Sequence, residues 1–335
     1  MKDRNFNRRE QRELFGEVRP IVSADFRGKK FVAVGSTFYA DSKWKVVPDF
    51  LHSYLRGKLG IEWAKAELSK PLNDRHQVLQ WVHSIAEHRK AAPHIGENLI
   101  SLSSGYCRAY FLLAYDLYTL DHHSVLQDLL VSRLRKPDQF QGARYELFIA
   151  ATFIRAGFEV KHDDERDGQT KHPEFVATHR ITKLEIDIEV KSKHRDSVLG
   201  YQQLRAKKGD KPFSGVPRML KSAGEKFRNR PYMIFIDLNL PPPDSIEEAA
   251  TRRENFHAIL QSSRSLFENG KSKFNIVGFT NYPDHYDGAG AARCGDSYCL
   301  FPSLAPLHPI PMEHAALIET AIQQYGNVPT EFTSQ

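Results

Sequence analysis

At 335 residues, with 41% hydrophobic and 26% charged side chains and a net charge of +6, the chain is long enough for two domains and too apolar for wholesale disorder. Three cysteines, Cys107, Cys294 and Cys299, are too few and too irregularly spaced for a disulfide framework, and no apolar run approaches the ~18 residues of a membrane helix. The polar start, MKDRNFNRREQRELFGE, has no signal-peptide core, so a cytoplasmic protein without a membrane partner is expected.

Residues 1–136 are expected to form a mainly helical region of unassigned role, with one early strand at Lys30–Tyr39. Apolar residues at three- and four-residue spacing predict helices over Phe50–Leu68, His76–Lys90, Tyr106–Leu120 and Ser124–Leu134. Asp121-His122-His123 has the letters of a phosphoesterase motif, but it stands between two helices rather than after a buried strand, and it reads as a helix break with a cap. The aromatics Tyr106, Tyr110, Phe111, Tyr115 and Tyr118 recur at helical spacing, which favours core packing over base stacking. Pro137 biases Lys136 out of helix and marks the boundary with a second unit, residues 137–335.

That unit reads as a helix at Gly142–Ala156, strands at Phe158–His162, Glu174–His179 and Leu184–Lys193, a basic irregular stretch, a helix at Pro217–Arg228, and a buried strand at Tyr232–Leu240. After Pro241-Pro242-Pro243, Asp244 or Ser245 caps a long helix with Gly270 just beyond its end. Strands at Phe274–Thr280 and Tyr298–Phe301, a proline-rich wrap and a last helix at Glu313–Tyr325 follow. The expected class is α/β, a mixed sheet flanked by helices, preceded by the helical N-terminal region.

Strict alternation in Leu184–Lys193, LEIDIEVKSK, puts Leu184, Ile186, Ile188 and Val190 on one strand face and Glu185, Asp187, Glu189, Lys191 and Lys193 on the other. Residues two apart on a strand lie about 6.5–7 Å apart, close enough for Glu189 and Lys191 to act on one bound ion and one attacking water. Glu174, in His172-Pro173-Glu174-Phe175, is a second carboxylate on a second strand. Glu146 lies within the apolar run YELFIAATFI, where a buried carboxylate needs a metal, a lysine or a donor, unless it faces out at the helix N-terminus. From Lys191 to Arg230 there are twelve Lys and Arg against three acids, a local +9 that leaves about −3 for the rest of the chain.

The order of elements, with Glu174 opening one strand and Glu189-Val190-Lys191 closing the next, resembles the PD-(D/E)xK superfamily of restriction-endonuclease-like nucleases over roughly residues 141–240. The resemblance implies metal ligation by Glu174 and Glu189, water orientation by Lys191, and a supporting role for Glu146 on the first helix. It departs from the family at Pro173-Glu174, where the pattern has Pro-Asp and the ligand arm here is longer by a methylene. Oxygen-only ligands imply magnesium or manganese. The basic stretch, Arg205, Lys207, Lys208, Lys211, Arg218 and Lys221, with Gln202 or Gln203, would hold the phosphates of a nucleic acid, DNA in preference to RNA. A homodimer is the expected form for a double-strand cutter, which needs two sites.

Three alternatives stay open. The polar strand face can be a half-solvated surface whose charges pair across strands. The domain can be an inactive nuclease-like module that binds nucleic acid or a protein. The N-terminal helices can be the functional surface, with the α/β unit as scaffold. Asp284-His285-Tyr286-Asp287 with Cys294 and Cys299 holds zinc-ligand residue types without zinc-site spacing, and Gly288-Ala289-Gly290 lacks the Lys-Ser/Thr of a phosphate loop.

Overall fold

A computed structural model describes residues 21–91, 105–162, 172–195, 213–240, 243, 245–281, 298–324 and 328–332. Three strands come first: β1 (Ser23–Phe26), β2 (Lys29–Val34) and β3 (Thr37–Asp41), all antiparallel. The single strand expected at Lys30–Tyr39 is therefore two. Val34 pairs with Thr37 across a two-residue turn, and Gly35 supplies the positive φ of 58° that such a turn needs.

Five helices follow: α1 (Val47–Leu59), α2 (Ile61–Leu68), α3 (Gln77–Ala91), α4 (Gly105–His122) and α5 (Asp128–Leu134). The one helix expected over Phe50–Leu68 breaks at Gly60, whose φ of 93° lies outside helical space. Arg135 satisfies a carbonyl left free at that break by donating to Lys58 O at 3.0 Å.

Helix α6 (Pro137–Arg155) is the spine of the molecule. Pro137 starts it at a position where a missing N–H costs nothing, and from Ala143 to Arg155 every residue is buried. One face lies on the sheet and the other on α4 and α5. Its charged residues are compensated across those helix contacts. Arg155 pairs with Asp116 of α4, and Glu146 accepts from Arg133 of α5 at 2.7 Å.

The main sheet has six strands in the order β11-β10-β7-β6-β5-β4: β4 (Phe158–His162), β5 (Phe175–His179), β6 (Glu185–Ser192), β7 (Tyr232–Asp237), β10 (Ile276–Thr280) and β11 (Tyr298–Pro302). β4, β5 and β6 form an antiparallel meander, β6, β7 and β10 are parallel, and β11 is antiparallel at the edge. On one face Ile186, Ile188, Met233 and Phe235 pack against α6, with the Phe153 ring edge-on to Phe175 and Phe235. On the other, Tyr232, Ile234 and Ile236 meet α7 (Val216–Gly224) and α8 (Ile246–Ser262) through Leu220, Ala223, Phe256 and Leu260. The last helix, α9 (Met312–Gln323), packs on α6. The molecule is mixed α/β, and one apolar cluster runs from Val32 through Tyr118 and Phe140 to Phe235, across the boundary expected at 136.

Two further expectations are corrected. The helix expected to run to Gly270 stops at Ser262, and Asn269-Gly270 instead turns a two-residue hairpin, β8 (Phe267–Glu268) with β9 (Lys271–Ser272), both turn residues having positive φ. Ser245 does cap α8, its hydroxyl accepting from Glu248 N at 3.2 Å. The helix expected over Pro217–Arg228 ends at Gly224, so Lys226, Arg228 and Arg230 lie on the connection that turns back under the sheet. No helix among the described residues is long and apolar enough to cross a membrane.

Gly224 permits this turn. A Cβ there would lie 2.8 Å from Ser265 O and 3.1 Å from its carbonyl carbon, and backbone cannot rotate away as a side chain can. Gly224→Ala is expected to cost about 1–3 kcal/mol by overpacking, read as a lower urea midpoint with an unchanged slope; an unchanged midpoint would show that α7 does not seat this closely.

Candidate active site

Strand pairing brings the two carboxylates together. β5 and β6 are antiparallel with Phe175 opposite Ile188, and Glu174 N donates to Ile188 O at 2.9 Å, so Glu174 stands opposite Glu189. Opposite residues share a face, and Lys191 joins them by the alternation of β6. That face is covered at its middle and open at its ends, where Glu185 is exposed and Lys191 and Lys193 are half-buried. Asp187 and Glu189 are both fully buried, covered by α7 and the connection after it.

Two carboxylates on one strand meet different fates there. Asp187 accepts from Arg228 Nε at 3.0 Å and Nη2 at 2.7 Å, and Arg230 closes on the same carboxylate while also reaching Glu185 at 3.0 Å. Both oxygens of Asp187 are taken, so it is a structural anchor. Glu189 meets two ammonium groups at a single oxygen, Lys191 Nζ at 2.5 Å and Lys226 Nζ at 2.9 Å from Oε1. Both of its oxygens are shielded from solvent and neither has a hydrogen-bond donor among the described residues apart from these ion pairs. A buried carboxylate oxygen without a donor is costly to leave so, and it suits a hard cation.

Lys191 is three-quarters covered. Burial alone would depress its pKa, but Glu189 and then Glu174 outweigh it, so the ammonium is held above its usual range and serves as a donor. Glu174 adds a smaller attraction from the neighbouring strand. Tyr232, under the same face, gives its hydroxyl to Ala223 O at 2.8 Å; burial, then the Glu189 and Asp187 charges, push its pKa well up, so it stays protonated.

Among the described residues no group of three or more His, Cys, Asp or Glu side chains could hold a metal ion. A cation here would rest on Glu174 and Glu189 alone. Magnesium accepts such a set, since it keeps several waters and takes one or two carboxylates.

Glu146 is buried, against its outward-facing alternative, with Arg133 as its close partner and His162 Nδ1 3.9 Å away. Those partners lie on the α6 side of the sheet, and a guanidinium supplies the compensation its burial requires. Gln202, Gln203, Arg205, Lys207, Lys208 and Lys211 lie outside the described residues, as do Asp284–Asp287, Gly288–Gly290 and Cys294. Arg218 and Lys221 are exposed on α7, whereas Lys191, Lys226, Arg228 and Arg230 of the same basic segment are engaged by acids of β6. Asp121 accepts from Tyr54 at 2.7 Å, and His122 and His123 meet backbone oxygens of Ala33 and Thr119, so this trio closes the end of α4. The five aromatics of α4 are core residues.

Sequence reasoning missed one residue at the site, Lys226, which falls inside the helix expected over Pro217–Arg228. It also missed a buried titratable group away from the site, Asp237, at the end of β7 on the α6 side. Burial pushes its carboxyl up to about 7, only partly offset by Arg144 and by the backbone N–H groups of Asn239 and Leu238.

Against family models, curated proteins and solved structures, the chain finds no match.

Two variants test these assignments. Asp187→Ala takes from Arg228 the carboxylate it binds twice and leaves Arg230 with Glu185, each guanidinium about a third exposed, and is expected to cost about 3 kcal/mol, the low end for a broken buried pair, in urea unfolding. Wild-type stability in that variant would mean the pairs contribute nothing. Because the folded state keeps a proton on Asp237 that the unfolded chain loses near pH about 4, its contribution to stability falls as pH rises to about 7 and is level above. Asp237→Asn should therefore gain in melting temperature over wild type between about pH 5 and pH 8; a constant difference would place Asp237 at an ordinary pKa.

Proposed function

We propose that this protein is a divalent-metal-dependent nuclease of the restriction-endonuclease-like kind, hydrolysing phosphodiester bonds in nucleic acid, DNA in preference to RNA. The observation that carries the reading is the register that sets Glu174 opposite Glu189 on adjacent strands, with Lys191 on the same face and paired to Glu189. The run of α6, the β4-β5-β6 meander, α7 and then β7 parallel to β6 supports the fold assignment.

Glu174 and Glu189 would hold magnesium or manganese. That cation would supply Lewis-acid charge at the phosphate and a water acidic enough to attack near neutral pH. Lys191 orients the attacking water and faces the charge that grows on the phosphate. The water oxygen bonds to phosphorus, the phosphorus bond to the sugar oxygen breaks with its electron pair on that oxygen, and solvent takes one proton and returns another. Arg218 and Lys221 on α7 are the exposed cations available to neighbouring phosphates. Restriction, repair or defence against foreign DNA is the setting the resemblance suggests.

A second reading has its own observation. Glu189 already holds two ammonium groups, as in an inactive nuclease-like module that binds nucleic acid or a protein without cleaving.

The experiment is cleavage of plasmid and single-stranded DNA with Mg2+ or Mn2+ and with chelator. The nuclease reading expects metal-dependent cleavage that falls by at least about 10²-fold in Lys191→Ala, and loss of calorimetric Mn2+ binding in Glu189→Ala. Salt-sensitive binding with no cleavage would establish the second reading instead.

A further inference from the structure

Lys226 reaches Glu189 from outside the sheet. Helix α7 is pinned by Gly224 against Ser265, Lys226 N donates to Ala223 O at 3.0 Å, and the next residue, Phe227, packs beside Tyr232. Arg228 then closes on Asp187. The ammonium is thus delivered by a fixed turn, and it stops 2.9 Å from Oε1 of a fully buried carboxylate that Lys191 already neutralises. Its side chain keeps 20% of its surface open, beside the open edge of Lys191.

Charge accounting says what a second ammonium is for. As it stands, Glu174 and Glu189 balance Lys191 and Lys226. Once a divalent cation occupies the two carboxylates, the set carries two surplus positive charges, and neither ammonium has an acid left to itself. A phosphodiester brings one negative charge, and its five-coordinate transition state brings two, which matches the surplus. With Lys191 alone the surplus would be one charge, enough for the bound substrate and short for the transition state.

Resting on the nuclease reading, we propose that Lys226 is a second phosphate-contacting cation of this site: it holds Glu189 while the carboxylates are metal-free and pairs with a non-bridging oxygen of the scissile phosphodiester when they are engaged. Lys191 keeps the water. Lys226 exchanges one anionic oxygen for another without leaving the pocket, and it transfers no proton.

The test compares wild type with Lys226→Met, which keeps the aliphatic stem, and Lys226→Arg, which keeps the charge. Single-turnover cleavage of duplex and single-stranded oligonucleotides in Mn2+ is measured beside the salt dependence of binding to a cleavage-resistant phosphorothioate oligonucleotide in Mn2+. Thermal melts confirm that each variant is folded. The expected result is a loss of about 10²-fold in cleavage for Lys226→Met, a binding slope against log salt smaller by about 0.7–0.9, and recovery of most of both in Lys226→Arg. If wild type cleaves and Lys226→Met matches it in rate and slope, Lys226 is only a counter-ion of Glu189 and the proposal is overturned. Should wild type itself fail to cleave with either metal, the nuclease reading falls on its own, and the slope still decides: unchanged in Lys226→Met, the phosphate contact is refuted; reduced, the contact stands as part of a binding site.

Discussion

Burial of the acidic face of β6 is the constraint on which the rest turns. Two carboxylates at zero exposure on a central strand would each be prohibitive alone, since the charge loses its hydration and gains nothing from hydrocarbon neighbours. The fold answers by ending α7 early and bringing the following connection back beneath the sheet, where Lys226, Arg228 and Arg230 meet those acids within eight residues of the strand β7 they lead into.

The compensation is uneven, and the unevenness separates structure from chemistry. Asp187 is saturated by planar guanidinium groups that suit a carboxylate fork. Glu189 is held by point charges at one oxygen, with the other left without a donor. Ammonium groups on flexible stems can leave; bidentate guanidinium pairs do so at much greater cost. Two acids that alternate on one strand face thus differ in how they are held, and the one held by lysines stands opposite Glu174.

The same principle organises the other side of the sheet. Helix α6 is buried along most of its length, and two of its buried charges meet an opposite charge across a helix contact: Arg155 with Asp116, Glu146 with Arg133. These pairs join the N-terminal helices to α6, and the apolar core is continuous across residue 136. Arg144 stands near Asp237 in the same way, but too weakly to offset its desolvation.

Much of this was legible in order along the chain. Period-two alternation in β6, apolar periodicity in α4 and α6, and proline and glycine punctuation place most elements within a few residues, because those signals are local and each reports the face a residue will bury. The alternation also put Glu189 and Lys191 on one face, and Glu174 stood out as a second carboxylate opening the strand before. What local pattern could not supply was partnership. Whether the polar face of β6 meets water or arginines, whether Glu146 faces a site or Arg133, and where α7 releases the chain to deliver Lys226 depend on residues distant in sequence that meet only once the sheet is assembled. Charge pairing and desolvation are properties of three-dimensional neighbourhood, so the tertiary structure alone decided which acid of β6 is anchored by arginines and which is held by lysines.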